Sequence, residues 1–196
     1  MRPFSVVLLA AGGSRRLGSP KQLVEYEGTP LLLRAIRTAL DSGALEVIVV
    51  LGSEASFIRQ RIESIQILDE RVKFLENEDW TEGMGGSIRV GVQGVSATSL
   101  AIVLMVCDQP HLRSTVLKAL VGALSDAVLI AACSYGGRPG SPCCFDRALA
   151  SELLQLTGDQ GARDLIRDPH RNVALVPFDD GSFDIDTPED LIRLTR

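Results

Sequence analysis

The stretch that most constrains this chain is Val6 to Gln22, VVLLAAGGSRRLGSPKQ. In it an apolar run, Val6 to Ala11, breaks abruptly into a glycine-rich, doubly basic loop. A short continuous apolar run bounded by glycines has the pattern of a strand buried on both faces of a parallel sheet. The loop that follows has the composition of an anion cradle. Gly12 and Gly13 let the backbone approach a ligand and expose its N–H groups, Arg15 can grip phosphate oxygens bidentately, and Lys21 adds a compact positive charge. Two common phosphate motifs do not fit. A P-loop needs Gly-Lys-Ser/Thr, whereas Lys21 stands between Pro20 and Gln22; Gly12, Gly13 and Gly18 miss the G-x-G-x-x-G spacing of dinucleotide sites.

Length and charge narrow the reading further. With 196 residues, 45% of them hydrophobic, and a mean hydropathy of +0.17, residues 1–196 are expected to form a single well-buried domain. The formal charge of −5 argues against a nucleic-acid surface, yet residues 1–37 hold six Lys/Arg against two Glu, a local +4 around the loop. Cys107, Cys133, Cys143 and Cys144 form no C-x-x-C pair, and only two histidines accompany them, so buried thiols in a reducing compartment are expected rather than a zinc site. The first residues imitate a secretory signal only faintly, because the apolar core is short and Arg15-Arg16 follows it. Leu100 to Cys107, the longest other apolar run, is too short to span a bilayer. A cytoplasmic protein with no membrane partner is expected.

Along the chain, strands alternate with helices. The spacing predicts helices over Pro30–Ser42, Phe57–Ile65 (Ile58, Ile62 and Ile65 on one face), Ser87–Gln93, Val116–Leu124 and Ala148–Leu156. Strands are expected at Glu46–Leu51, Val72–Leu75, Leu100–Cys107, Val128–Cys133 and Val173–Pro177. The Gly- and Pro-rich stretch Gly136–Pro142 reads as irregular. This alternation implies an α/β fold with a doubly wound, mostly parallel sheet and one antiparallel excursion. Gly85-Gly86-Ser87 ahead of a helix offers a second anion site, or Ser87 merely caps that helix. Asp108, at the C-terminal edge of the most apolar strand, lies where α/β sheets bind ligands and is a candidate Mg²⁺ ligand; it also suits the turn that Pro110 completes. From the residues alone, the reading ends at a magnesium-dependent phosphate-binding enzyme.

The stretch LLAAGGSRRLGSPKQL resembles the nucleotidyltransferase signature L-A-A-G-x-S-x-R-x-G-x-x-K, through Leu9, Ala10, Ala11, Gly12, Ser14, Arg16, Gly18 and Lys21. Within that superfamily it is most similar to the molybdenum-cofactor cytidylyltransferases, which implies a three-layer, Rossmann-like fold of the nucleotide-diphospho-sugar-transferase type. Further segments carry the likeness: Asn77, Trp80, Gly83, Met84, Ser87 and Ile88; Gly137, Gly140, Pro142 and Phe145; Asp159, Gly161 and Arg163; and the ending Asp184-Ile185-Asp186-Thr187-Pro188-Glu189-Asp190-Leu191. Cys107 departs from the glycine usual before the aspartate.

The resemblance implies catalytic roles for Arg16, Lys21 and Asp108. It places the nucleotide against residues 9–16 (Gly13 and Arg15 included), Lys21, Gly83 and Ser87, and the acceptor near Asn77, Trp80, Met84, Gly137, Gly140, Pro142 and Arg163. Arg163 equally suits an ion pair with Asp159 across one turn. Mg²⁺ is implied on Asp108 and Asp186, with Asp184 in reserve. Ala10-Ala11-Gly12 favours CTP over GTP, and the implied acceptor is the phosphate of molybdenum-loaded molybdopterin, with a molybdoenzyme receiving the product. Two other readings remain: a transferase of the same fold acting on a sugar phosphate or other small phosphate, and a non-catalytic carrier of the cofactor. The absence of a G-x-S-x-G elbow and the scarcity of histidine count against a hydrolase.

Overall fold

A computed structural model describes residues 2–14, 16–187 and 189–190. The apolar run of the opening motif becomes β1 (Phe4–Ala10). A 3-10 turn at Lys21–Leu23 and a two-strand ribbon, β2 (Glu25–Tyr26) and β3 (Thr29–Pro30), lead into α1 (Leu31–Asp41). There follow β4 (Glu46–Leu51), α2 (Ala55–Ile65), β5 (Val72–Glu76), α3 (Met84–Gln93), β6 (Ala101–Val106) and α4 (Ser114–Gly122). The chain continues through β7 (Ile130–Tyr135), β8 (Arg138–Asp146), α5 (Ala150–Leu153), α6 (Arg163–Arg167) and β9 (Val173–Pro177).

Seven strands form one sheet in the order β5-β4-β1-β6-β8-β7-β9. All neighbours are parallel except β8, which runs against both β6 and β7. This is the mostly parallel sheet with one antiparallel excursion that the pattern predicts. The period-two alternation of strands sorts side chains to two faces. Val6 and Leu8 of β1 join Leu32, Ile36, Ile58 and Leu117 from α1, α2 and α4, whereas Val7 joins Ile88 and Val92 of α3 and Leu153 of α5. α3 comes unusually close to the sheet because Gly91 lacks a Cβ; one there would stand 2.3 Å from Val7 Cγ1. Among the described residues no helix is long and apolar enough to cross a membrane.

Several sequence expectations change. The Gly136–Pro142 stretch is not irregular: Gly136 and Gly137, at φ +57° and +70°, make the tight turn of the β7–β8 hairpin, and the following prolines lie within β8. Strand structure survives there because β8 pairs with β6 only from Cys143 onward, so neither Pro139 nor Pro142 has to donate to that neighbour. A register break against Ala132 and Cys133 leaves Ser141 and Pro142 bulged. Ile65 is half exposed, off the buried face that Ile58 and Ile62 share. The helix expected from Ser87 begins at Met84, so Ser87 lies inside it and caps nothing. Pro30 precedes α1 with extended backbone rather than joining its first turn. The helix expected over Ala148–Leu156 shortens to a 3-10 turn at Arg147–Leu149 followed by α5.

Candidate functional site

From β1 the chain builds outward to β4 and β5, then returns to lay β6 on the other side of β1. The strand order reverses between these two strands, and crevices at the carboxyl ends of such a pair are where open α/β sheets take ligands. The anion loop leaves β1 at that point, and Asp108 follows β6 beside it. Gln22, fully buried, holds the loop: its Nε2 donates to the carbonyls of Ala10 at 2.6 Å and Gly12 at 3.1 Å. The Ala11 carbonyl accepts from Ser53 N. With its carbonyls engaged, the loop leaves the N–H groups of Gly12, Gly13 and Ser14 without an acceptor among the described residues. A Cβ on Gly12 would meet nothing within 4 Å, so the protein itself imposes no steric need for glycine there. Close approach of a ligand would impose one. Ser14 sits at φ +47°, a left-handed conformation costly for serine, held by its Oγ accepting from Lys21 N at 2.9 Å.

Lys21 and Asp108 meet across the crevice. Lys21 Nζ donates to Asp108 Oδ2 at 2.8 Å and to Asp186 Oδ1 at 2.6 Å, while Arg16 donates to Asp186 Oδ2 at 2.8 Å. Burial opposes the charge on Lys21, but Asp108 and then Asp186 outweigh it and raise its pKa. The hydrogen bond from Lys21 lowers that of Asp186 despite some burial. Asp184 behaves oppositely: burial, then the charges of Asp108 and Asp186, push its carboxyl up to about 6. Cys107, beside Asp108, is a buried thiol pushed up to about 12 by desolvation and then by that carboxylate, so it stays protonated.

The second oxygen of Asp108, Oδ1, is buried with no hydrogen-bond partner. A buried carboxylate oxygen without a partner is costly unless a ligand completes it, and a hard divalent cation is the ligand such an oxygen suits. No group of three or more His, Cys, Asp or Glu forms a cage among the described residues. Mg²⁺ commonly takes one or two carboxylates and completes its shell with water and substrate phosphate, so the donor set fits.

Two clefts meet at Asp108. The smaller, about 440 Å³, is lined by Leu9 to Gly12, Lys21, Trp80, Gly83, Met84 and Ser87. The larger, about 860 Å³, runs under the β7–β8 hairpin and α6 and shares Leu9, Met84, Val106, Asp108 and Asp159 with the first. Of the residues expected near the acceptor, Met84, Gly140 and Arg163 line the larger cleft. Trp80 lies instead in the smaller cleft, packed over the anion loop so tightly that a Cβ on Gly13 would stand 2.8 Å from its ring. Asn77 reaches neither cleft; it is buried and donates to Ser87 Oγ at 3.0 Å, tying the end of β5 to α3. Gly137 forms the hairpin turn, and Pro142 lies in the bulge outside the cleft lining. Nor does Gly85 present its N–H to a ligand, since Gly158 O accepts it at 2.9 Å. Arg163 and Asp159 make no ion pair among the described residues. Arg15 and Pro188 lie outside the described residues, whereas Thr187 Oγ accepts from Asp190 N at 3.4 Å, as expected of a helix cap.

Other site residues are invisible to motif reading. Gln109 is buried and donates to Ser141 O at 3.2 Å and Gly181 O at 3.0 Å, joining the β8 bulge to the segment that carries Asp184 and Asp186. Ile185 N donates to Asp108 O at 3.2 Å and ties the same segment to β6. Arg138 and Arg167 also line the larger cleft. The four-residue spacing of Arg163 and Arg167 was a usable signal for one shared helix face; for Gln109 the sequence carries none.

The MobA-like NTP transferase domain profile matches residues 6–174. Nicotine blue oxidoreductase of Paenarthrobacter nicotinovorans is 35% identical, over 96% of this chain and 94% of its own length. Purine catabolism protein PucB of Bacillus subtilis is 30% identical over 95% and 94%. The molybdenum cofactor cytidylyltransferase of Escherichia coli is more distant, 23% identical over 98% and 95%. Among solved structures, Rv0371c of Mycobacterium tuberculosis superposes with a TM-score of 0.83 at 31% identity, covering 98% of this chain and 97% of that one. A manganese complex of the same protein superposes at 0.78 with the same identity and coverage.

Proposed function

The chain belongs to the MobA-like NTP transferase family of nucleotidyltransferases, and on that premise we propose that it transfers CMP from CTP to the phosphate of molybdenum-loaded molybdopterin. The products are molybdopterin cytosine dinucleotide and pyrophosphate. The observation that carries this reading is the partnerless buried Oδ1 of Asp108 beside Lys21, at the point where the phosphate-binding loop and two clefts converge. Ala10-Ala11-Gly12 and the full-length likeness to the Escherichia coli cytidylyltransferase support CTP and this acceptor.

In the proposed reaction a phosphate oxygen of the acceptor attacks the α-phosphorus of CTP in line. A new P–O bond forms, the bond to the bridging oxygen breaks, and pyrophosphate leaves with that electron pair. No protein nucleophile is needed. The free N–H groups of Gly12, Gly13 and Ser14 cradle phosphate oxygens; Lys21 and Arg16 turn from the carboxylates toward the triphosphate and hold it. Asp108 and Asp186 would hold Mg²⁺, which would neutralise the charge that develops on the phosphates. The triphosphate takes the smaller cleft and the acceptor the larger one. Residues 1–196 act as one domain in the cytoplasm, and an apo-molybdoenzyme receives the product.

Pyrophosphate release, measured with each nucleoside triphosphate and Mg²⁺, with and without molybdenum-loaded molybdopterin, tests the proposal. Release with CTP only when that acceptor is present supports it. Release with GTP overturns the base, and activity only with a sugar phosphate or other small phosphate overturns the acceptor. Tight cofactor binding without turnover marks a carrier. The 35% identical oxidoreductase supports a second reading, which oxidation or reduction of nicotine blue in place of pyrophosphate release would establish.

A further inference from the structure

The larger cleft has an apolar floor, formed in part by Ile88, Leu104 and Ile166, and a charged rim that mixes arginines with aspartates. Its three arginines come from two separate elements: Arg138 opens β8, and Arg163 and Arg167 lie one turn apart on α6. Some arginines elsewhere find carboxylates: Arg34, Arg59, Arg71 and Arg171 each have one within 3.2 Å. None of the three rim arginines makes a side-chain hydrogen bond or ion pair among the described residues. This holds although Asp159, Asp164 and Asp184 line the same cleft. Arg37, Arg61, Arg89, Arg113 and Arg147 also lack carboxylate partners among the described residues, but they line neither cleft.

We propose that Arg138, Arg163 and Arg167 form a clamp for a second anionic group on the acceptor, separate from the phosphate that attacks. The clamp deepens the proposed function and rests on it. An acceptor with its phosphate beside Asp108 lays its body along the apolar floor and brings its far end to the arginines. Guanidinium groups suit this role because each presents planar, paired donors to an oxyanion. On molybdenum-loaded molybdopterin the second anion is the metal-oxo dithiolene end. The clamp therefore reads whether the substrate carries its metal, in a part of the cleft that the transferred nucleotide does not occupy.

The test is the affinity of the intact protein for metal-loaded and for metal-free molybdopterin, measured without nucleotide by intrinsic fluorescence. Arg138→Ala, Arg163→Ala and Arg167→Ala are compared singly and together, with Arg113→Ala as a control outside both clefts. The combined variant is expected to weaken binding of the loaded acceptor at least about tenfold, the scale of one charge-assisted hydrogen bond. Wild-type protein should prefer the loaded acceptor, the combined variant should lose that preference, and Arg163→Lys should restore part of it. In turnover, the acceptor KM should rise while kcat and the KM for CTP hold. Unchanged affinity in the combined variant, or a preference that survives it, overturns the clamp. Wild-type binding with the expected preference but no pyrophosphate release overturns the proposed reaction and leaves the clamp standing.

Discussion

The two clefts flanking Asp108 treat their positive charges in opposite ways. At the smaller one, Lys21 is already held by Asp108 and by Asp186, which also takes Arg16, so these cations and carboxylates neutralise one another. In the larger one, Arg138, Arg163 and Arg167 have no partner among the described residues. A self-neutralised site resists partial occupancy: a metal alone must displace an ammonium, and a triphosphate alone must strip the cations from two carboxylates and then face them. Metal and nucleotide are therefore expected to enter together, whereas the rim arginines can take their anion directly.

Asp108→Asn gives the largest effect by which to break this comparison. It keeps the side chain's shape but removes the charge that faces Lys21, along with the free carboxylate oxygen. Pyrophosphate release should fall about 10³-fold, on the scale of losing one major electrostatic group at a reacting phosphoryl centre. Near-normal turnover would mean that the two clefts do not share a reaction centre.

Lys21→Met sharpens the comparison, because its two effects have opposite signs. Turnover should fall about 10²-fold as the triphosphate loses a ligand. Binding of Mn²⁺ without nucleotide, followed by electron paramagnetic resonance, should tighten, because no ammonium competes for Asp108 and Asp186. The latch that Lys21 makes between Asp108 and Asp186 also sets a pH window. The pKa of Asp186 is lowered, so its contribution is present above the usual carboxylate range and is lost as pH falls through the depressed value. That of Lys21 is raised, so its contribution persists until pH climbs beyond the usual lysine range. Up to about pH 10 Mn²⁺ alone should bind weakly to the wild type, because the ammonium, and at low pH the proton, competes for the carboxylates.

What was legible in the sequence follows the same division. Val6–Ala11 announces β1, and Gly12 to Lys21 announce the glycine-rich loop that leaves it, because contiguous residues build both. Asp108 was readable from its place after the most apolar strand. The β7–β8 hairpin was missed because β8 ceases to need donors toward β6 before Pro142, a consequence of strand order that no local window contains. Asn77 matched a motif segment yet turns inward, since Gly86 leaves room for its amide against α3. Gln109 was unreadable because Ser141 and Gly181, the two carbonyls it serves, lie 32 and 72 residues away.

That long reach makes Gln109 the next test. Gln109→Leu strands the carbonyls of Ser141 and Gly181 in a buried setting, at a cost of about 1–3 kcal/mol. Thermal unfolding should shift down by about 2–4 °C for each kcal/mol. If the residue positions Asp186 through its segment, kcat should fall while the acceptor KM stays within about twofold. A drop in Tm alone would reduce Gln109 to a structural strut and separate the two clefts mechanically.

The smallest effect belongs to Asp184, which touches both sides of the comparison: it lines the larger cleft and feels the charges of the latch. Its carboxyl is pushed up to about 6 by burial and by Asp108 and Asp186. Between the usual aspartate range and that value the folded chain therefore binds more protons than the unfolded one, and stability falls as pH rises through this interval. Asp184→Asn removes that slope. In metal-free buffer its Tm should match the wild type near pH 4 and exceed it modestly above pH 6. Adding Mg²⁺ and CTP should narrow the gap, because neutralising Asp108 and Asp186 removes the repulsion that Asp184 senses. If the gap stays unchanged on adding both, the larger cleft does not register the charge state of the smaller one.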